Sequence, residues 1–440
     1  MSGLGLKKLF TNMLATLGRQ VGSGIIQLIT LALIARVFGP SGNGAYALAL
    51  LLPTMLATLL NLGVAPANVY FLGANRVDPK YAWKVTSKIS FWIIIAGWIT
   101  GALIITHKAS TFFPEVPVTM LWLSLAFFPL TFTTTNISSF FQGLQDFKKF
   151  NIVLLLQPIL NLIIISLLIA FSFENLLYVL ASYFFSLIIT QLIAYRLLKK
   201  LLSESSGPKT NGYGKKLINY GYKAHLSNIL AFVNYRADML MLGFFIGPAA
   251  VGIYTIAVNI TEKLWLLSNA ISTVLLPRLS QLSTDEDKRK LLTPLIARWV
   301  FWLTLIASLV LAAIGSYIID LIFGSEFKEA YSAMILLIPG IVVGSCSKVL
   351  ANDIAARGRP ELNLATSWVV VIVNIIANII LIPKFGIQGA AAATSIAYII
   401  NFIMRLAMHN YFTKVKFYKN FVIQLDDLHM IKSIFTAKKS

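Results

Sequence analysis

Apolar residues run along this chain in stretches of about 20, the length that carries a helix across the hydrocarbon of a bilayer, and they recur from one end to the other. Bounding each stretch by charge or turn residues predicts helices over 14–37, 44–71, 88–106, 118–142, 151–171 and 176–198, then over 217–246, 251–277, 294–320, 330–355, 362–383 and 386–409. A polar stretch through Ser203, Glu204, Ser205, Ser206, Gly207 and Pro208 separates the two sets. The expected fold is an all-α membrane protein of about twelve transmembrane helices in two parallel-repeat six-helix lobes around a central cavity. The lobes fall at 1–198 and 217–410, with a cytosolic linker over 199–216 and a cytosolic tail over 411–440. Leu4, Leu6, Leu9, Phe10 and Met13 predict a short interfacial helix before the first crossing, and Leu425, Leu428, Ile431 and Phe435 predict another in the tail.

The two lobes share a sequence register. Gly39, Pro40, Gly44 and Tyr46 return as Gly247, Pro248, Gly252 and Tyr254 after a shift of 208 residues, and Ala49 and Asn61 return as Ala257 and Asn269. A duplication explains this, and because each half has an even number of helices, the second copy enters the membrane from the same side as the first.

Composition agrees with lipid as the solvent: 57% of the residues are hydrophobic, 12% are charged and the mean hydropathy is +0.77. The net charge of +20 would suggest nucleic-acid binding in a soluble protein, so the placement of the 37 Lys and Arg decides its meaning. They cluster between crossings on one side. Loops assigned to the cytosol hold 26, from Lys7 to Lys439, whereas the opposite loops hold only Lys108, Lys328 and Lys384. That bias predicts both termini in the cytosol and no nucleic-acid partner.

Catalytic chemistry finds little support. Cys346 is the single cysteine, and His107, His225, His409 and His429 lack metal-ligand spacing, so no catalytic or metal site is expected. No G-x-x-x-x-G-K-[ST] loop occurs, and the linker is too short for a nucleotide-binding domain, so any work must come from gradients. The loops are also too short to carry an enzyme's catalytic carboxylates, which points away from enzymes.

Eight basic residues fall inside predicted helices: Arg19, Arg36, Lys223, Arg236, Lys263, Arg298, Lys348 and Arg405. A charge at the bilayer centre costs about 2.5 to 3.5 kcal/mol on insertion scales. Arg236 and Lys263, with Asp238 and Glu262, lie near mid-depth of the seventh and eighth helices and must face protein or water. Helical spacing puts Thr255, Asn259, Glu262, Asn269 and Thr273 on one face, and Tyr220, Ser227, Asn234 and Asp238 on another. The 208-residue shift gives matching first-half faces of Thr16, Gln20, Ser23, Gln27 and Thr30, then Thr54, Thr58 and Asn61. The expected cavity residues are Arg19, Gln20, Gln27, Asn61, Asn234, Arg236, Asn259, Lys263 and Asn269. The competing reading makes these charges interhelical pairs that only fix packing.

The repeated Gly-Pro loop, Arg19-Gln20-Val21-Gly22, the turn from Gln142-Gly143 to Phe150-Asn151, and Asp238 followed by Gly252-Ile253-Tyr254 resemble the polysaccharide transporters, or Wzx-type flippases. Pro277, Gly358 to Asn363, Gly386-Ile387-Gln388-Gly389-Ala390-Ala391 and Leu425-Asp426-Asp427-Leu428 extend the likeness over nearly the whole chain. The resemblance implies no cofactor and a cargo of undecaprenyl-pyrophosphate-linked oligosaccharide, crossing a bacterial cytoplasmic membrane for O-antigen, capsule or exopolysaccharide synthesis. It further implies alternating access, coupling by H+ or Na+ at Asp238 or Glu262, and partners among membrane lipids, a polysaccharide polymerase and a chain-length regulator. A multidrug or small-molecule antiporter of the same superfamily and a lipid II flippase are the alternatives. From another class, a non-transporting scaffold or polymerase would tolerate neutral residues at the four mid-membrane charges.

Overall fold

Glycine and proline decide where the apolar runs bend. The computed structural model describes residues 3–173, 175–204, 208, 212–266, 268–269, 271–272, 275, 279 and 286–424. The predicted tail helix, the Leu425 to Leu428 stretch, Pro277 and Thr273 lie outside the described residues. Helix α1 (Gly3–Leu60) is two rods joined at Gly39, whose φ of 63° strains any side chain but costs glycine nothing, and Pro40 opens the second rod where its missing N–H is harmless. The residues expected to form a separate interfacial helix continue directly into this first crossing.

There follow α2 (Val64–Gly73), α3 (Pro79–Phe112), α4 (Val118–Leu125), α5 (Phe127–Gly143), α6 (Phe147–Ala170), α7 (Leu176–Glu204), α8 (Tyr213–Phe245) and α9 (Pro248–Glu262). After a 3-10 turn over Lys263–Trp265 come α10 (Glu286–Phe323), α11 (Glu329–Ala356) and α12 (Pro360–Thr413), the last bent at Gly386, where φ is 55°. Eight segments among the described residues are long and apolar enough to cross a membrane. The first and last are each bent into two rods, and with α8 and α9 the described helices agree with the expected count of about twelve. The described residues contain no strand, so the chain is an all-α multi-pass membrane protein.

Local chemistry breaks one predicted helix and interrupts another. The run over 44–71 stops at Leu62 and Gly63, with φ of 51° and 69°, and the Asn61 side chain accepts from the Gly63 N–H at 2.7 Å. The run over 118–142 is only interrupted, at Ala126, which keeps helical dihedrals (φ −65°, ψ −15°) three residues before Pro129, whose missing N–H leaves the ladder one bond short. Conversely, α3 starts well before residue 88, because Asp78 caps it by accepting from the Tyr81 N–H at 2.8 Å and Pro79 takes its first position.

The chain divides into two units, Met1–Ile256 with Ile322–Phe327 and Ala257–Leu321 with Lys328–Ser440. In the first unit α6 packs on α1 and α7, α5 packs on α2 and α7, and α8 lies against α1, α2 and α3. Helix α8 comes this close because Gly221 faces Gly63 backbone to backbone, while the Tyr213 hydroxyl donates to buried Asn68 at 2.9 Å. The two copies of the duplicated loop also meet here. A Cβ on Gly44 would lie 1.7 Å from the Pro248 carbonyl oxygen, and one on Gly252 would lie 2.0 Å from that of Pro40. Asn43 seals the crossing by donating to the Gly252 carbonyl at 2.9 Å.

In the second unit α11 packs along α12. Leu275, Ala297, Val300, Cys346, Val349 and Phe402 form a core there. The chain after α12 is held onto α10: the Trp302 indole donates to the Phe421 carbonyl at 2.8 Å and Arg298 donates to that of Lys419. Across the molecule Phe91, Trp92, Ile163, Phe185, Ile306 and Ile376 stay exposed, as side chains facing lipid should.

Candidate functional site

The second unit assembles its polar site on a tryptophan. Trp265 closes the 3-10 turn, its indole N–H donates to the Ile341 carbonyl at 3.0 Å, and its ring packs against Tyr398 with centroids 5.1 Å apart. Gly344 makes room, since a Cβ there would come within 3.1 Å of the indole. One turn further along α11, Lys348 sets its ammonium 3.8 Å from the Trp265 ring centre and donates to Asn269 Oδ1 at 2.9 Å. A cation on an indole face gains between about 0.5 and 2 kcal/mol, more as water is excluded. Glu262 attracts Lys348 electrostatically and Arg405 repels it. Arg405 itself donates to Ser347 Oγ at 3.2 Å. Two cations, one carboxylate, an amide and an indole therefore share one region. An ammonium has three donors, so Lys348 keeps N–H groups for an anionic oxygen.

The first unit carries a different site. Thr135, Ser138, Ser139, Gln142 and Phe150 line a cavity of about 460 Å³. The Arg19 guanidinium lies 5.9 Å from the Phe150 ring centre, and Asn151 donates to Thr16 at 3.4 Å. Arg19 Nε and Ser138 Oγ are buried without a hydrogen-bond partner, a costly state unless something else bonds them. Hydroxyls, an amide, an aromatic face and a guanidinium make a surface suited to polyols and oxyanions.

The predicted residues are distributed between these sites and the packing around them. Asn269 joins Lys348, and Glu262 lies near it. Asn259 and Lys263 are half-buried in the same unit. Arg236 and Asp238 belong to the first unit. Arg236 is half-buried and donates to the Tyr235 carbonyl at 3.0 Å, whereas Asp238 is buried and accepts from the Tyr254 hydroxyl at 2.5 Å and the Met239 N–H at 2.8 Å. Asn234 is buried with its Oδ1 unpartnered, Gln20 is half-buried, and Gln27 donates to Ser23 at 3.2 Å. Asn61 spends its amide on the backbone, donating to the Thr58 carbonyl at 3.2 Å as well as accepting from Gly63. Trp265 and the Ser138 to Gln142 wall escape the sequence reading. Lys348 leaves a signal, a lysine within an apolar run, but the sequence alone does not set it apart from the other basic residues inside predicted helices.

The family described as polysaccharide biosynthesis protein matches residues 9–283. The chain belongs to that family. Within it, the chain is 27% identical over 46% of its length to the probable low-salt glycan biosynthesis flippase of Haloferax volcanii, spanning 43% of that protein. It is 21% identical to the candidate O-antigen transporter of Shigella flexneri over 86% of its own length and 92% of that protein. Most curated relatives it matches are spanned over about half their length or less. Among solved structures, a lipid II flippase in an inward closed conformation superposes with a TM-score of 0.73 at 18% identity, covering 95% of this chain and 92% of that one. The relatives named here are described as a flippase and a transporter.

Proposed function

We propose that this protein flips a lipid-linked oligosaccharide across a cytoplasmic membrane by alternating access of two six-helix lobes, 1–198 and 217–410. The observation that carries this reading is the first-unit cavity, where Ser138, Gln142 and Phe150 offer hydroxyl, amide and ring to a sugar and Arg19 stands beside them. Each unit supplies its own cation for an anionic headgroup, Arg19 in the first and Lys348 in the second, and the polyprenyl tail stays in the bilayer. Relatives named as a glycan flippase and an O-antigen transporter support the same cargo class. The mid-depth cluster of Arg236 and Lys263 with Asp238 and Glu262 is mixed in sign, unlike the acidic cavity that suits the cationic substrates of a multidrug antiporter. Asp238 or Glu262 carries the coupling H+ or Na+, Asp238 as the buried acceptor of the Tyr254 hydroxyl and Glu262 as a carboxylate that acts electrostatically on Lys348. The lobes' bacterial setting, cytosolic termini and working contact with a polymerase and chain-length regulator complete the reading.

The test is flipping of a fluorescent lipid-linked oligosaccharide in proteoliposomes. Arg19→Ala and Lys348→Ala should each lower the rate at least about tenfold while protein inserts normally, since each removes a charge-assisted bond. Wild-type rates from both variants would overturn the proposal.

A further inference from the structure

Three arginines converge at one end of the second unit, where α10 begins, α11 ends and α12 both starts and returns. The charge bias assigns this end to the cytosol. Asp353, fully buried, is the hub: Arg357 Nε donates to it at 2.7 Å and Thr293 Oγ1 at 3.2 Å, with His409 Nε2 3.7 Å and Arg289 Nη2 3.8 Å away. Arg357 Nη1 also pairs with Glu286 at 2.8 Å. Burial works against the charge on Arg357, but the bonds to Asp353 and Glu286 outweigh it and hold the pKa above the ordinary guanidinium value.

These pairings leave donors over. Arg289 is only 4% exposed, yet its Nε and Nη2 have no hydrogen-bond partner, and neither has Arg357 Nη2. Both residues, with Ile354, Arg359 and Phe412, line a cavity of about 260 Å³. The Arg359 guanidinium rests 4.9 Å from the Phe412 ring centre, which fixes its plane at the rim. Three guanidiniums against the two carboxylates of Asp353 and Glu286 leave the cavity net positive. A buried guanidinium with orphaned donors is unfavourable unless an acceptor reaches it, and its planar fork matches a tetrahedral oxyanion.

We propose that this cavity binds a phosphate group, either the headgroup of an anionic phospholipid or the free ion. Arg289 and Arg357 bond the oxygens from inside, and Arg359 closes over them. The site lies wholly within the second unit and does not depend on the oligosaccharide reading.

The full chain in detergent is titrated with inorganic phosphate at constant ionic strength, with Tm as readout. In parallel, nanodiscs of mixed phosphatidylcholine and phosphatidylglycerol are analysed by native mass spectrometry for retained lipid. Retention of phosphatidylglycerol alone identifies a headgroup site, a Tm response alone identifies the free ion, and both together assign the site to the phosphate group itself. Arg359→Ala and Arg289→Lys should weaken the response about tenfold; Arg359 is exposed, so its loss leaves the fold measurable. No preference in either arm, or variants that bind like wild type, would overturn the site.

Discussion

Asn61 and Asn269 occupy the same register in the two copies of the duplicated sequence, 208 residues apart, yet their amides are spent differently. Asn61 closes the end of a helix by bonding the Thr58 carbonyl and the Gly63 N–H. Asn269 instead holds the ammonium of Lys348 over an indole. Around them, the Gly-Pro device that breaks the chain is unchanged in both copies, with φ of 63° at Gly39 and 114° at Gly247. Duplication thus preserved what the backbone demands. The side-chain partners differ between the copies, and the proposed transport chemistry draws on that difference.

The shared part should be the more fragile. Gly44→Ala or Gly252→Ala drives a methyl into a backbone carbonyl, at 1.7 or 2.0 Å, and no rotamer relieves such a clash. Either substitution should cost about 3 kcal/mol or more, read as the largest fall in Tm of the purified protein. The double variant should cost less than the sum, because one crossing is lost only once. Gly22→Ala, with nothing within 4 Å of the added methyl, is the control and should leave Tm level or slightly raised. A loss at Gly22 equal to that at Gly44 would mean that the crossing of the two copies has no special role.

The tyrosines shared by the two copies, Tyr46 and Tyr254, sharpen the comparison at smaller amplitude. Tyr254 donates to the buried carboxyl of Asp238, whereas Tyr46 lies near the neutral amide of Asn161. Tyr254→Phe should therefore cost about 2 kcal/mol and Tyr46→Phe about 1 kcal/mol. If Asp238 is a packing residue, Asp238→Asn in the Tyr254→Phe background should recover part of the loss in Tm without restoring or abolishing transport. Complete loss of transport in a stable Asp238→Asn protein would give Asp238 the coupling role.

How far the sequence foretold these sites follows from the kind of signal each element leaves. Crossings are legible because burial in lipid demands about 20 apolar residues, and loop charge marks the side. The Gly-Pro breaks are legible because few residues tolerate their backbone. The break at Leu62 is not, since leucine carries no conformational signature strong enough to outweigh the apolar run around it. The polar faces were found by helical spacing, but spacing ranks Asn61 and Asn269 alike. What distinguishes them is the arrival of Lys348, 79 residues further on, and a contact of that range is set by packing. The Ser138 to Gln142 wall stayed hidden for another reason: hydroxyls on an apolar helix are more often interhelical hydrogen bonds, as Ser182 to Asn161 is at 3.1 Å.

The pair Asn61 and Asn269 offers the finest break of the comparison. Asn61→Ala removes a cap and should lower stability by about 1 kcal/mol, while transport per folded molecule stays at the wild-type value. Asn269 is exposed and holds no backbone, so Asn269→Ala should change stability by less than about 0.5 kcal/mol. Its effect falls on Lys348, which loses the acceptor that fixes its ammonium, and transport should drop several-fold. Asn269→Asp separates position from charge: the carboxylate still holds Lys348 in place but neutralises its attraction for an anionic headgroup, so transport should fall further than with alanine. An aspartate that restores transport relative to alanine would show that Lys348 serves to be positioned rather than to attract, and the anionic cargo would then have to be recognised from the Arg19 side.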